Sequence, residues 1–342
     1  MSRWLSACVL IAGCGDGATA AAPAVPADTG TFDAGPSDAS PSDDARADGG
    51  PVADSGPGDA GPETISTGPK GCITEIVAGT KVFSCDGLQF EVTVPAACLA
   101  GGGACGLVLD VHGMTMSARI EDKNTEMRAL GSKYGYVVVQ PNAIPAPPSS
   151  SWTPAVDDTK VLAFLKSAIE AYDVDRDRVH MTGFSQGGMM TSRFLCRQAE
   201  LFASVAAAAG TGCTFVGLDV PSRELPVLYM HGTRDAVIAY SYGAAQRDAA
   251  VAAWKLGPES VVSADAKHRW TRRKSPAGTV FEFIQFEYEA SSVLLRGHCF
   301  PGSNDLTATE PGQYLGFACT GDSAFVWGEI VMKFFRDHPR GK

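Results

Sequence analysis

A serine set between two glycines is the first group in this chain that could do covalent chemistry. Gly183-Phe184-Ser185-Gln186-Gly187 is its one G-x-S-x-G. The run Val179-His180-Met181-Thr182 before it reads as a buried strand, and Met189, Met190, Phe194 and Leu195 after it fall at helical spacing. A strand that turns straight into a helix forces Ser185 into a strained backbone and lifts its hydroxyl to the tip of a sheet; the glycines remove the clashes. A hydroxyl is a weak nucleophile until a base takes its proton, and the base needs a partner to fix its tautomer. With a turn of this kind the partners follow in the order Ser, acid, His.

Four histidines lie beyond Ser185: His231, His268, His298 and His338. His298 sits in Arg296-Gly297-His298-Cys299-Phe300-Pro301-Gly302, after the strand-like Ser292-Val293-Leu294-Leu295. A loop at a strand end lets an imidazole reach the serine, so His298 is the candidate base. His338 ends a helix, His268 lies in a polar hairpin, and His231 precedes a glycine at a strand end, where a structural role is expected. Asp235 is the first carboxylate beyond the apolar strand Val227-Leu228-Tyr229-Met230, which makes it the candidate acid; Asp219 and Glu224 precede that strand. A tetrahedral intermediate needs two amide donors. The N–H of Gln186 supplies one, and His112-Gly113-Met114, after an early strand, supplies the other through Met114.

The elements that must hold these groups are short apolar runs alternating with helical patterns. Besides the two strands already named, Leu107–Val111, Tyr136–Val139 and Ala203–Ala206 read as buried strands. Val161, Leu162, Leu165, Ala168, Ile169 and Tyr172 share one helix face, with Asp157 or Asp158 as the cap. Val326, Trp327, Ile330, Val331 and Phe334 mark a C-terminal helix and place Trp327 in the core. This alternation predicts an α/β fold: a mostly parallel central sheet with helices on both faces, in a single catalytic domain over residues 71–342. Chemistry then collects at the carboxyl ends of the strands. The Pro-rich loop from Asn142 to Ala155 leaves such an end, and its Trp152 can stack on an aromatic acyl group or a sugar, or simply pack. Arg269-Trp270-Thr271-Arg272-Arg273-Lys274 reads as a solvated hairpin.

The 342 residues carry a net charge of −10. Most of it sits in residues 15–70, where nine Asp and Glu63 face only Arg46 and Lys70. That stretch is Ala, Gly, Asp and Pro with four sizeable apolar side chains, so it reads as a disordered linker. The remainder is nearly neutral, which argues against a nucleic-acid partner. Met1-Ser2-Arg3 and the apolar stretch from Trp4 to Gly13 have the form of an export signal, too short to span a bilayer. Ile11-Ala12-Gly13-Cys14 resembles the bacterial lipobox, in which the cysteine is lipidated; cleavage after Ala18-Thr19-Ala20 is the alternative. The expectation is a protein anchored to a membrane only by lipid on Cys14, or else free outside the cell. Cys72, Cys85, Cys98, Cys105, Cys196, Cys213, Cys299 and Cys319 contain no C-x-x-C, so disulfides rather than a metal are expected. Sequence proximity favours Cys72–Cys85, Cys98–Cys105, Cys196–Cys213 and Cys299–Cys319.

Several segments together resemble the extracellular polyhydroxybutyrate depolymerase and feruloyl esterase family of α/β-hydrolases. They are Asp110-Val111-His112-Gly113, the run from Tyr134 to Pro141, Val156-Asp157-Asp158, and Val174 through the Gly183–Gly188 turn. His231-Gly232-Thr233-Arg234-Asp235 and Gly297-His298 complete the set. The resemblance covers roughly Gly87 to the C-terminus. It implies an α/β-hydrolase fold and a secreted serine esterase, without a cofactor, acting on polymer-linked esters such as a hydroxyalkanoate oligomer or a feruloylated polysaccharide fragment. It agrees with Ser185, Asp235 and His298. Members often carry a tryptophan two residues after the histidine; Phe300 stands there in this chain and, with Trp152, is the candidate substrate contact. The alternatives are a serine peptidase or acyltransferase on the same fold, and a non-catalytic binding protein on a hydrolase scaffold.

Overall fold

The computed structural model describes residues 68–99, 104–304 and 315–341. Cys14, the export signal and nearly all of the acidic 15–70 stretch lie outside them. Ten strands form one sheet: β1 (Gly79–Cys85), β2 (Leu88–Val94), β3 (Gly106–Val111), β4 (Tyr136–Asn142), β5 (Val179–Phe184), β6 (Ser204–Ala208), β7 (Val227–Gly232), β8 (Ser260–Ala264), β9 (His268–Lys274) and β10 (Val280–Phe286). Their order is β1-β2-β4-β3-β5-β6-β7-β10-β9-β8. The six strands from β4 to β10 are mutually parallel, and antiparallel pairs close both edges.

Helices α1 (Ala118–Thr125), α2 (Met127–Tyr134), α3 (Val156–Ala171), α4 (Gln186–Arg197), α5 (Tyr240–Ala253) and α6 (Trp327–Asp337) cover the two faces. Side chains alternate across a strand, so β3 and β4 feed both layers. Leu107, Leu109, Val111, Val137 and Val139 pack with α3 and α4 through Val161, Phe164, Leu165, Met190 and Phe194. Val108 and Val138 face the other way, into a second cluster with Ile120, Met127, Leu130, Trp327, Val331 and Phe334 from α1, α2 and α6. Because the parallel strands are buried on both sides, they read in sequence as unbroken apolar runs. Phe90 and Phe164 stack at 3.8 Å between centroids, and removing the Phe164 ring would cost about 3–5 kcal/mol.

Two local expectations are corrected. Ser292–Leu295 is a turn, not a strand, with Val293 and Leu294 78% and 65% exposed. The Ser292 hydroxyl accepts from the Leu294 N–H at 3.3 Å and its carbonyl from Leu295 and Arg296 at 3.0 Å, so this segment closes locally instead of pairing. The strand that leads into the His298 loop is β10. Neither Asp157 nor Asp158 caps α3, whose N-cap is Ala155. Asp157 accepts from the Thr153 N–H at 2.8 Å, and Asp158 is held by Arg193 through two bonds of 2.6 and 2.7 Å. The basic hairpin is β8–β9, where Arg269 and Arg273 pair with Glu259 and Arg272 with Glu282.

Candidate active site

Ser185 lies between β5 and α4 with φ 55° and ψ −117°, a left-handed strain that L-residues rarely adopt. Its N–H donates to the Ala208 carbonyl at 2.9 Å, and its own carbonyl accepts from Met189 N–H at 2.9 Å. The turn is possible because of the glycine at 187, where a Cβ would run into the Val111 carbonyl of β3. α4 can therefore start directly over the sheet, and the Gln186 N–H, at its first position, has no carbonyl one turn back to bond.

Asp235 follows β7 and His298 follows β10, adjacent strands in the sheet. His298 Nδ1 lies 2.7 Å from Asp235 Oδ2, both side chains buried. Asp235 Oδ1 accepts from the N–H groups of Val237 and Ile238, each at 2.8 Å. The two loops touch backbone to backbone: Asp235 bridges Arg296, and a Cβ on Gly297 would stand 2.9 Å from Asp235 N. The His298 ring rests on Phe184, the residue before Ser185, at 4.6 Å between centroids. Beyond it, Cys299 is bonded to Cys319, and Phe300 exchanges backbone bonds of 2.8 and 2.9 Å with Phe317 and Cys319. The imidazole is thus bonded to Asp235 and packed on the Phe184 ring, with the next residue held by a disulfide.

The loop after β3 passes beside Ser185, since a Cβ on Gly113 would lie 3.1 Å from the Ser185 Cβ. In this loop the Thr115 N–H donates to Ser150 O at 2.8 Å and the Met116 N–H to Gly113 O at 3.2 Å. The Met114 N–H has no protein acceptor among the described residues. His112 anchors the loop from below. Its Nε2 accepts from the Ala143 N–H at 3.0 Å, so the proton sits on Nδ1, which donates to Gly113 O at 2.6 Å. Burial pushes its pKa down to about 4 and keeps the ring neutral.

Residues 149–153 strap down over this loop. The Ser150 hydroxyl donates to Met116 O at 2.6 Å, and the Trp152 indole N–H donates to His112 O at 2.8 Å. Gln186 Oε1 accepts from the Trp152 N–H at 3.0 Å and lies 3.3 Å from the Ser151 hydroxyl. Trp152 is 4% exposed and Phe300 fully buried, its ring 4.1 Å from that of Phe184. Neither candidate substrate contact presents an open face: one ring is turned into the strap, the other into the core.

Ser185, Asp235 and His298 thus lie on the segments that follow β5, β7 and β10, at the carboxyl edge of the parallel strands. Residues 155–285 match the family described as Phospholipase/Carboxylesterase. Those residues, from the start of α3 to near the end of β10, are similar to that family. Among curated relatives, it is 27% identical over 179 residues to a bifunctional acetylxylan esterase/xylanase from Neocallimastix patriciarum, covering 51% of this chain and 25% of that protein. It is 26% identical over 155 residues to feruloyl esterase B from Piromyces equi, covering 43% and 29%. The matched part thus spans well under half the length of these relatives. A solved acetyl xylan esterase from Aspergillus awamori superposes with a TM-score of 0.47 at 15% identity, over 61% of this chain and 93% of that one.

The site also contains polar groups that spacing alone did not single out. His112, Ser150 and the Gln186 side chain hold the strap and the Met114 loop together. Their only signal in the sequence was the His-Gly pair and the Ser-Ser-Ser run ahead of Trp152. Beneath the loop, Asp110 on β3 accepts from Gln140 at 2.8 Å and Thr125 at 3.1 Å. Glu121 of α1 lies against it, and Asp110 Oδ1 and Glu121 Oε2 are buried without another partner among the described residues. Burial raises Asp110 to about 7 and lifts Glu121 well above the carboxylate range, so the pair holds protons that exposed carboxyls release. The eight cysteines of the domain form four disulfides, Cys72–Cys85, Cys98–Cys105, Cys196–Cys213 and Cys299–Cys319, the pairing that proximity favours.

Proposed function

We propose that the chain is a serine carboxylic-ester hydrolase that works through an acyl-enzyme on Ser185. The observation that carries this reading is the 2.7 Å bond from His298 Nδ1 to Asp235, on a ring seated against Phe184 beside the strained serine. With Nδ1–H donated to Asp235, His298 Nε2 carries the lone pair that takes the Ser185 proton. The serine oxygen then bonds to the ester carbonyl carbon, and the carbonyl oxygen becomes an oxyanion held by the N–H groups of Met114 and Gln186. Collapse expels the alcohol, which receives the proton from His298. Water, deprotonated by His298 in turn, releases the acid and restores Ser185.

The relatives named acetylxylan and feruloyl esterase support a substrate of polymer-linked acetyl or feruloyl esters. The sequence resemblance adds hydroxybutyrate polyester as the competing polymer. Four disulfides support a working place outside the reducing cytoplasm. Lipid attachment at Cys14 would keep the enzyme at the cell envelope. The test is hydrolysis of p-nitrophenyl acetate, acetylxylan, methyl ferulate and hydroxybutyrate oligomers by the mature protein beside Ser185→Ala. Activity on the xylan or ferulate esters that disappears in the variant supports the reading; a preference for the oligomers moves it to polyester. Equal rates for parent and variant would overturn it.

A further inference from the structure

Asp235 is approached by a second histidine. His231, next to last in β7, is fully buried, and its Nε2 lies 2.8 Å from the Ile238 carbonyl. A carbonyl only accepts, so Nε2 carries the proton and the ring is the neutral Nε2–H tautomer. The same Nε2 stands 3.5 Å from Asp235 Oδ2, the oxygen that His298 uses. Nδ1 is buried with no partner among the described residues and faces Gly243 of α5, where a Cβ would lie 2.5 Å away. The glycine at 243 thus leaves the space that this ring fills. Its burial favours the neutral form, which keeps the tautomer fixed.

We infer that His231 is a positioning residue for the reaction, acting through Asp235. This rests on the triad proposed above. Two amides hold Oδ1, and His298 holds Oδ2. His231 ties the far end of the same turn, at Ile238, to β7 and sets an N–H beside Oδ2. The carboxylate is therefore prevented from rotating away from His298, and the nearby Nε2–H adds to the two amides and His298 in offsetting its charge. Without that donor, the turn from Asp235 to Ile238 loosens and more of the charge acts on His298, which stabilises its protonated form. The other ionisable groups nearby are Tyr229 on β7, Tyr240 on α5, the Arg234–Glu289 pair and Arg296 on the adjoining loops. All are shared by parent and variants and do not account for a difference between them.

The test measures kcat and KM for p-nitrophenyl acetate across pH for the parent, His231→Phe, His231→Gln and His231→Asn. Phe keeps a ring but has no donor; the Gln amide nitrogen can take the place of Nε2, while that of Asn falls nearer Nδ1. His231→Phe is expected to lower kcat about tenfold, the worth of one hydrogen bond, with KM unchanged. Its acidic limb should move to higher pH, and His231→Gln should restore both. A drop in kcat with an unmoved limb and no rescue by Gln would mean that His231 only packs, and the inference fails. If His231→Phe does not fold, Gln and Asn decide: Gln near parent with Asn impaired supports the role, and equal behaviour overturns it. Ser185→Ala, measured alongside, separates the two claims: an active Ser185→Ala removes the triad itself, whereas an inactive one beside a parent-like His231→Phe removes only this role.

Discussion

Replacing Asp110 by Asn should change how the stability of the domain depends on pH. In the unfolded chain this carboxyl ionises near 3.8; buried beside Glu121, it ionises at about 7. Between those values the folded state holds a proton that the unfolded state releases, so raising the pH favours unfolding. The cost is absent below about pH 4, grows as the pH rises, and is complete above about pH 7. The interval corresponds to a loss on the order of 4 kcal/mol. In Asp110→Asn, the amide oxygen can still accept from Gln140 and Thr125, and its NH2 can donate to Glu121, so the cost should vanish without leaving a buried donor unpaired. The buried His112 and His180 act in the opposite direction, because burial lowers them to about 4 and about 3 and the unfolded chain takes up their protons below about 6.5. They are common to both proteins, so the readout is the difference between variant and parent. Urea unfolding with the disulfides intact, at pH 4.5, 5.5, 6.5 and 7.5, should show the variant gaining on the parent at each step. Parallel stability curves across this range would refute the assignment of a buried, protonated Asp110.

Other consequences concern the loops at the site. Trp152→Phe removes the indole donor to the His112 carbonyl and should lower kcat for p-nitrophenyl acetate by about tenfold, through a loosened Met114 loop; steady-state kinetics with an unchanged kcat would show that the strap does not matter. Gly187→Ala puts a methyl against the Val111 carbonyl and should destabilise the domain by about 2–4 kcal/mol, read as a fall in the denaturation midpoint. Cys299→Ser with Cys319→Ser opens a loop with a sequence separation of 20 and should cost about 3 kcal/mol, with a fall in kcat because the residue after His298 is released. Parent-like thermal unfolding and kcat in that double variant would show that the disulfide does not hold the imidazole.

The parallel core was legible because strands buried on both faces leave uninterrupted apolar runs, as at Leu107–Val111 and Val227–Met230. The nucleophile turn was equally legible, since only glycine can sit where Gly187 meets β3. The edge strands were harder. β1 carries the pattern GTKVFSC with most side chains exposed, and nothing local distinguishes it from a polar loop. Ser292–Leu295 misled for the reverse reason: its apolar residues suggest a strand, but the β10 edge that it would join is already taken by β9 and β7. Among the candidate site residues, Ser185 and Asp235 could be read from chain order and the ends of β5 and β7, which are rules about backbone position, whereas the reading of His298 rests on chain order and on Ser292–Leu295, which is a turn. The strap could not be read in this way. The bonds of Ala143 to His112, Ser150 to Met116 and Trp152 to Gln186 join residues more than thirty positions apart, and one-dimensional spacing carries no trace of them.

The central claim is that Ser185 forms a covalent acyl-enzyme with His298 as its base. Its most direct test is intact-protein mass spectrometry of the mature protein after reaction with a fluorophosphonate and, separately, after rapid acid quench from p-nitrophenyl acetate. The account predicts one phosphonyl group and, in the quenched sample, one acetyl group. Both should map to the peptide that contains Ser185, and neither should appear in Ser185→Ala. An adduct that persists in Ser185→Ala, or ester hydrolysis that continues in it at the parent rate, would contradict the account.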